Sequence, residues 1–254
     1  MVAVIIQART GSTRLPRKIL KKVLGKAMLE HMAERVKRAK TIDKIVIATT
    51  VRPEDKEIAD LAKKLGLNWY RGSENDLLDR YYQTAKKFDI DTIVRISSDC
   101  PLVDPAIIDK AVRFYLKNEK NCDYISNTDP ATYPDGMDIE IFSFKALEET
   151  WQKAELLSER EHMTQYIRNH PEKFRKRNVG NKKDFSRLRL TLDNPEDFIL
   201  IKKIFTALYP KNKNFNLNDI LKFLEENPKL VLINAHLERN EGLFKSLAND
   251  KRIK

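Results

Sequence analysis

Val2-Ala-Val-Ile-Ile6 is a short, unbroken apolar run that leads directly into Gln7-Ala-Arg-Thr-Gly-Ser-Thr-Arg-Leu-Pro-Arg-Lys18. An apolar run of this length is typical of a strand covered on both faces of a parallel sheet. Further strands are predicted at 44–48, 67–70 and 92–97, with amphipathic helices between them at 28–40, 53–65, 77–88 and 104–115. This alternation predicts an α/β fold, in which helices cover both faces of a mostly parallel sheet.

The regular alternation ends near residue 117. After it, the hydrophobic pattern predicts strands at 123–126, 137–142 and 188–192 and helices at 158–168 and 195–208. The sequence shows no linker, internal repeat or low-complexity tract. We therefore predict one domain over residues 1–254, with an inserted subdomain at about 127–180 and covering helices at about 216–254.

The composition excludes several classes of protein. The chain has 254 residues, of which 41% are hydrophobic, enough for a sizeable core and too many for a disordered chain. Two cysteines, Cys100 and Cys122, exclude a disulfide scaffold and favour the cytoplasm. No apolar run approaches the length of a membrane span, and the run at 2–6 is too short for a signal peptide. We expect a soluble cytoplasmic protein with no membrane insertion.

The net charge of +11 is concentrated in two segments, 1–29 and 168–189, each of which carries +7. Two basic segments on an otherwise mildly acidic chain suggest contact with nucleic acid or with small phosphates. Solvated Lys and Arg on helix faces are the ordinary alternative, and they are the favoured explanation for Lys21, Lys22 and Lys26.

The loop that follows the first strand has the residue types of an anion site. Gly11 lets backbone N–H groups approach an anion, Ser12 adds a donor, and Arg9, Arg14 and Lys18 neutralise charge. The glycine spacing of a Walker loop or a dinucleotide-binding loop is absent. Residue types alone leave a phosphate site and an ordinary basic loop equally open.

Two aspartates follow predicted strands at the edge where an α/β sheet binds ligands. Asp99 lies just after the predicted strand at 92–97, and Asp193 lies just after the one at 188–192. A carboxylate that faces phosphates is a natural Mg²⁺ ligand. The alternatives are a turn carboxylate for Asp99 and a helix cap for Asp193.

The segment 137–142 alternates apolar and acidic residues. As a strand it would turn Asp138 and Glu140 to the same side, roughly 7 Å apart. That side could bind sugar hydroxyls, or it could be the solvated face of an edge strand.

Five segments, taken in order, resemble the motifs of the spore coat polysaccharide biosynthesis cytidylyltransferases. This family is related to the acylneuraminate and 3-deoxy-manno-octulosonate cytidylyltransferases. The segments are Ile6-Gln-Ala-Arg-Thr-Gly-Ser-Thr-Arg-Leu-Pro-Arg-Lys-Ile-Leu20, Arg95-Ile-Ser-Ser-Asp-Cys-Pro-Leu102, Tyr133-Pro-Asp-Gly-Met-Asp-Ile-Glu140, Arg160-Glu-His-Met-Thr164 and Leu190-Thr-Leu-Asp-Asn-Pro-Glu-Asp197. One departure is visible, since the family usually has glycine where this chain has Arg17.

The resemblance implies a three-layer α/β/α nucleotide-diphospho-sugar transferase (Rossmann-like) fold, dependence on Mg²⁺ and a homodimer. It implies catalytic roles for Arg9, Lys18 and Asp99, and Mg²⁺ ligation by Asp99 and Asp193. The nucleotide-binding residues that it implies are Ala8, Arg9, Gly11, Ser12, Arg14, Lys18, Ser73, Arg80 and Arg95. The sugar-binding residues that it implies are Tyr133, Asp135, Asp138, Glu140, Arg160 and His162. All of them lie in the inserted subdomain, which is also expected to dimerise. For Arg160 and His162, the exposed first turn of a helix is an equally good account.

The function implied is transfer of CMP from CTP to a sugar, with release of pyrophosphate, for surface polysaccharide synthesis. The acceptor expected from the resemblance is an acidic keto sugar. A sugar-1-phosphate nucleotidylyltransferase or a metal-dependent glycosyltransferase would share the fold. A nucleic-acid-binding protein ranks third, because the basic segments lack interleaved aromatic residues that stack on bases; the favoured function has no nucleic-acid partner.

Overall fold

The computed structural model describes residues 1–239, 241–248 and 250–253. The strands are β1 (Val2–Gln7), β2 (Lys22–Val23), β3 (Lys26–Ala27), β4 (Lys44–Thr50), β5 (Asn68–Gly72), β6 (Thr92–Ser97), β7 (Tyr124–Ser126), β8 (Glu140–Ser143) and β9 (Lys176–Asn178). The α-helices are α1 (Met28–Val36), α2 (Lys56–Lys64), α3 (Leu77–Lys87), α4 (Pro105–Asn118), α5 (Phe144–Lys153), α6 (Leu157–Glu161), α7 (Gln165–Asn169), α8 (Pro195–Leu208), α9 (Leu217–Glu226) and α10 (Glu241–Ala248). Within these residues, no helix has both the length and the apolar character needed to cross a membrane.

Seven strands form the main sheet, in the order β5-β4-β1-β6-β8-β7-β9. β1 is parallel to β4 and β6, β4 is parallel to β5, and β8 runs antiparallel to both β6 and β7. The chain passes outward from β1 to β4 and β5, and then crosses to β6 on the other side of β1. The strand order therefore reverses between β1 and β6, and the crevice at their carboxyl ends is where such sheets bind ligands.

The sheet separates two apolar cores. Alternate residues of β1 contribute to each, because successive side chains of a strand point to opposite faces. Val4 and Ile6 pack with α1, α2, α4, α8 and α9, whereas Ala3 and Ile5 pack with α3, α5 and α7. The predicted three-layer α/β/α architecture with a mostly parallel sheet is confirmed.

The stretch at 127–180, predicted to be an inserted subdomain, adds β8 and β9 to the main sheet. The strand expected at 137–142 begins only at Glu140. Before that point the Asn127 side chain takes the place of a partner strand, donating to the Met137 carbonyl (2.7 Å) and accepting from the Ile139 amide (2.9 Å). The expectation of one strand over 137–142 was therefore wrong for its first half.

The single helix expected over 158–168 is interrupted between α6 and α7. Ser158 does not cap it, because its amide and hydroxyl both bind the carboxylate of Asp250. At the break, the Thr164 hydroxyl donates to Glu140 (2.8 Å) and a ring nitrogen of His162 bonds to Ser246 (2.9 Å). Tertiary contacts thus override the local helical pattern.

The segment 188–192, expected as a strand, makes only one isolated bridge, between Arg189 and Asp135. Its amides bond to loops: Leu190 donates to the Asp135 carbonyl (2.7 Å) and Leu192 to the Asp99 carbonyl (2.8 Å). It is therefore an extended connector between two loops of the site, and the strand prediction was wrong.

Gly136 makes the turn against this connector possible. Its φ is +96°, and a Cβ built there would lie 2.5 Å from the backbone of Leu190 and Thr191. We expect Gly136→Ala to lower the free energy of unfolding by about 3 kcal/mol, because strain at a left-handed residue adds to a clash with fixed backbone. Urea unfolding measures this loss. Gly11→Ala is the control, since a Cβ at Gly11 has no atom within 4 Å, and an equal loss in both variants would contradict the account.

Candidate active site

A cavity of about 500 Å³ opens at the carboxyl ends of β1 and β6, at the reversal of strand order. The predicted site residues that line it are Ala8, Arg9, Gly11, Ser12, Arg14, Lys18, Arg80, Arg95, Asp99, Asp135, Asp138, His162 and Asp193. Residues from five separate predicted motifs therefore meet in one place, as expected of a ligand site.

The loop after β1 is held in shape by a buried carboxylate. Asp55 accepts hydrogen bonds from the amide and the hydroxyl of Thr10, both at 2.7 Å. Arg17 then adopts the left-handed conformation, with φ 55° and ψ 27°. Glycine adopts this conformation without steric cost, which explains why the family usually has glycine here. The loop keeps the turn despite Arg17, whose guanidinium binds Glu57 at 2.7 Å.

Lys18 lies between the two aspartates predicted to hold a metal. Its ammonium is 2.6 Å from Asp193 and 3.5 Å from Asp99. Burial alone would lower the pKa of Lys18, but the two carboxylates outweigh it and raise that pKa. The pKa of Asp99 is lowered, because Lys18 counteracts the effect of burial. Lys18 and Asp99 are therefore both charged at neutral pH.

Asp193 also binds the guanidinium of Arg14 at 3.2 Å. Its backbone is fixed by Asp197, which accepts the amides of Asp193 and Asn194 at 2.9 Å each. Asp197 is fully buried and forms a two-point ion pair with Arg189. The geometry at Asp193 thus rests on a rigid charge pair, in which Arg189 comes from the second basic segment.

Arg9, in the loop after β1, and Arg80, on α3, are neighbouring cations at the other end of the loop. Arg80 is buried on α3, donates to the Ser73 carbonyl at 3.2 Å, and has no hydrogen-bond partner for Nε within the described residues. Burial, and to a lesser extent the neighbouring charge of Arg9, lower the pKa of Arg80 to about 10. A guanidinium with an unpaired Nε beside a second positive charge suits an anionic ligand.

The opposite wall of the cavity is acidic. Burial raises the pKa of Asp135 to about 6 and that of Asp138 to about 7, despite nearby arginines. Arg189 binds Asp135 at 3.0 Å, and Arg239 binds Asp138 at 2.6 Å. The arginines on this wall are thus already bound to carboxylates.

Four predicted site residues do not line the cavity. Ser73 accepts the Asp76 amide, Tyr133 accepts from Lys110, and Arg160 binds Asp76. Glu140 is buried among Arg95, Tyr124 and Thr164, and these neighbours keep its pKa low in spite of burial. These four side chains are thus engaged in other contacts, and Glu140 binds Arg95, which does line the cavity.

Several lining residues were missed from the sequence. They are Leu77, Glu161, Arg189, Glu238, Glu241 and Leu243. Nothing in the pattern of a single sequence connects positions so far apart. Arg189 could have been suspected, since it lies four residues before Asp193.

The donor set around Lys18 fits a magnesium ion. Mg²⁺ in phosphate sites uses one or two carboxylates, with the remaining ligands from phosphates and water. Asp99 and Asp193 provide two carboxylates that already share one cation, the ammonium of Lys18. Within the described ranges, no group of three or more His, Cys, Asp or Glu side chains forms a closed metal cage.

Comparison with known proteins decides the family. Residues 3–239 match the family model described as cytidylyltransferase. The chain belongs to the cytidylyltransferase family. Cytidylyltransferases are nucleotidyltransferases that move CMP from CTP, so the predicted family and enzyme class are confirmed.

Three similar proteins span nearly the whole chain. An uncharacterized protein of Methanocaldococcus jannaschii is 40% identical over 240 residues, covering 92% of this chain and 95% of that protein. The spore coat polysaccharide biosynthesis protein SpsF of Bacillus subtilis is 32% identical, covering 88% and 94%. The structure of a cytidylyltransferase from Leptospira borgpetersenii superposes with a TM-score of 0.87 at 36% identity, covering 94% and 99%. The similarity to these proteins thus extends over most of the chain.

Proposed function

We propose that this cytidylyltransferase activates a sugar for surface polysaccharide synthesis by transferring CMP from CTP, with release of pyrophosphate. The observation that carries the proposal is the cluster of Lys18, Asp99, Asp193 and Arg14 at the carboxyl ends of β1 and β6. The similarity to a spore coat polysaccharide protein supports the polysaccharide role.

In the proposed reaction, an oxygen of the sugar attacks the α-phosphorus of CTP. A new P–O bond forms, the bond to the bridging oxygen of the β-phosphate breaks, and pyrophosphate leaves. Arg9, Arg14 and Lys18 bind the phosphate oxygens, and Lys18 neutralises the charge that develops during transfer. Asp99 and Asp193 would hold Mg²⁺, which would supply further positive charge to the triphosphate.

The acceptor belongs on the acidic wall, which faces the phosphate-binding loop. Asp138 is suited to accept the proton of an attacking hydroxyl, because its pKa of about 7 is close to neutral pH. An acidic keto sugar is the acceptor that the family resemblance suggests. Arg189 and Arg239 are already paired with carboxylates, so the acceptor must also be tested among neutral and amino sugars.

The test is a pyrophosphate-release screen. CTP, UTP, GTP and ATP are each combined with Mg²⁺ and with keto-acid sugars, amino sugars, neutral sugars and sugar 1-phosphates. We expect release with CTP and with only one class of acceptor. Turnover of a nucleotide-sugar to nucleoside diphosphate would instead indicate a glycosyltransferase, and inactivity with every triphosphate would contradict the proposal. A homodimer and a cytoplasmic location stay predictions, which size-exclusion chromatography and cell fractionation can test.

A further inference from the structure

Gln7 is the last residue of β1 and lines the cavity, although no role has been assigned to it. Successive side chains of a strand point to opposite faces, so Gln7 lies on the same face of the sheet as Ala3 and Ile5. Its carboxamide meets Tyr81 of α3 and Arg95 of the neighbouring strand β6. Gln7 thus stands at the centre of the sheet edge where the substrates are expected to bind.

Two donors hold the amide oxygen of Gln7. The Nε of Arg95 lies 3.2 Å from this oxygen, and the hydroxyl of the fully buried Tyr81 lies 3.0 Å from it. The Nε of an arginine can only donate, so the atom that faces it must be the oxygen of the carboxamide and not its nitrogen. A carbonyl oxygen has two lone pairs, and both are used here. The orientation of the carboxamide is therefore fixed by its partners.

The amide nitrogen of Gln7 has no such partner. It makes no hydrogen bond with any residue that the structure describes, and it keeps some contact with solvent. Because the oxygen is already occupied, Gln7 can offer a ligand only its two N–H groups. A fixed pair of donors on the wall of a cavity suits a ligand atom that accepts hydrogen bonds.

Arg95 is held from its other side by Glu140. Its Nη1 binds the buried carboxylate of Glu140, which also accepts the hydroxyls of Tyr124 and Thr164. Burial alone would lower the pKa of Arg95, but Glu140 outweighs it and raises that pKa. Within residues 1–239, 241–248 and 250–253, the Nη2 of Arg95 has no hydrogen-bond partner. Gln7 and Arg95 therefore present donors from two adjacent strands, and their supports are buried.

We propose that Gln7 is a substrate-binding residue, whose amide N–H groups donate to an oxygen of a bound substrate while Tyr81 and Arg95 hold the carboxamide in place. The proposal rests on the proposed function, because it assumes that the cavity binds CTP and a sugar. The sugar is the expected source of this oxygen, since Arg95 is bound to β8, and the loop before β8 carries Asp135 and Asp138. An oxygen of CTP offers the same chemistry, and the experiment distinguishes the two sources.

Two substitutions separate a donor to substrate from an internal anchor. Gln7→Glu keeps an oxygen for Arg95 and Tyr81 but replaces the N–H groups by a second oxygen, whereas Gln7→Met removes both. We expect both variants to raise the KM for the sugar that supports pyrophosphate release by roughly 10- to 50-fold, with Gln7→Glu affected at least as strongly. The dissociation constant of CTP with Mg²⁺, measured by calorimetry, should stay within about twofold of the wild type.

Gln152→Glu and Gln152→Met are the matched controls, because Gln152 is exposed on α5 and does not line the cavity. Both are expected to keep the constants of the wild type. Weaker CTP binding in both Gln7 variants, with an unchanged KM for the sugar, would support the donor role and assign the oxygen to the nucleotide. A near-normal Gln7→Glu would overturn the proposal, since the amide oxygen alone would then account for the residue. A near-normal Gln7→Met would overturn it as well.

The CTP titration keeps the role of Gln7 testable if the proposed function fails. If no acceptor releases pyrophosphate from CTP, the proposed function is contradicted. In that case, weaker CTP binding in both Gln7 variants still supports the donor role, and unchanged CTP binding overturns it. A wild type that does not bind CTP at all would overturn both.

Discussion

Lys18→Met is expected to lower the rate of CMP transfer by roughly 100- to 1000-fold. Lys18 is the largely buried cation between Asp99 and Asp193. In the proposed reaction it would meet the phosphate oxygens where charge develops in the transition state. Removal of one such preorganised donor commonly costs two to three orders of magnitude in rate. Methionine keeps the length of the side chain and removes only the charge. Pyrophosphate release at saturating CTP measures the loss.

Lys22→Met is the control, because Lys22 is an exposed cation of β2 that does not line the cavity. Its rate should stay within about twofold of the wild type. Lys18→Met also leaves two partly buried carboxylates without their shared cation, so Mg²⁺ should raise its melting temperature more than that of the wild type. Similar rates for Lys18→Met and Lys22→Met would contradict a specific role for Lys18. The positive charge of the N-terminal segment would then only attract the nucleotide in a general way.

Asp99→Asn is expected to lower pyrophosphate release by roughly 1000-fold and to raise the Mg²⁺ concentration that gives half of the maximal rate. The carboxylate of Asp99 is kept ionised by Lys18, and the amide carries no charge to bind the metal. The loss corresponds to about 4 kcal/mol of transition-state stabilisation, within the range expected for a catalytic metal. Magnesium titrations of the steady-state rate measure both changes.

Asp193→Asn should behave in the same way, since Asp193 binds the same ammonium. Asp60→Asn is the matched control, because Asp60 pairs with Lys56 at 2.7 Å on the exposed side of α2, remote from the cavity. A near-normal rate and unchanged magnesium dependence in Asp99→Asn would remove this residue from the metal site.

The strands and helices that depend only on local sequence pattern were predicted well. The strand at 92–97 and the start of a helix at Pro195 match the structure, because apolar periodicity and a proline in the first turn act within a few residues. The prediction was wrong at 137–139 and 188–192, where the hydrogen-bond partners are a side chain and two loops. Pairing of this kind depends on segments distant in the chain, which sequence pattern does not reveal.

The same limit applies to the site. Lys18, Asp99 and Asp193 were predicted because each lies in a recognisable sequence motif. Lys18 is in the loop after β1, Asp99 follows β6, and Asp193 precedes α8. Arg189 and Glu241 line the cavity but were missed, because their partners Asp135 and Arg14 lie 54 and 227 residues away in the chain. For Glu140 the sequence suggested more than the structure shows. This residue was predicted to bind the sugar, but it is buried against Arg95 and does not line the cavity.

If the acceptor binds on the acidic wall, as proposed, the antiparallel direction of β8 puts acceptor recognition on a loop of its own. Because β8 runs against β6, the loop at 127–139 emerges at the same edge as the carboxyl ends of β1 and β6. Asp135 and Asp138 are thus supplied by a piece of chain separate from the one that carries Arg14 and Lys18. Grafting 127–139 from a relative, with the Gly136 turn retained, would redirect the enzyme to another sugar while the nucleotide-handling half keeps its geometry.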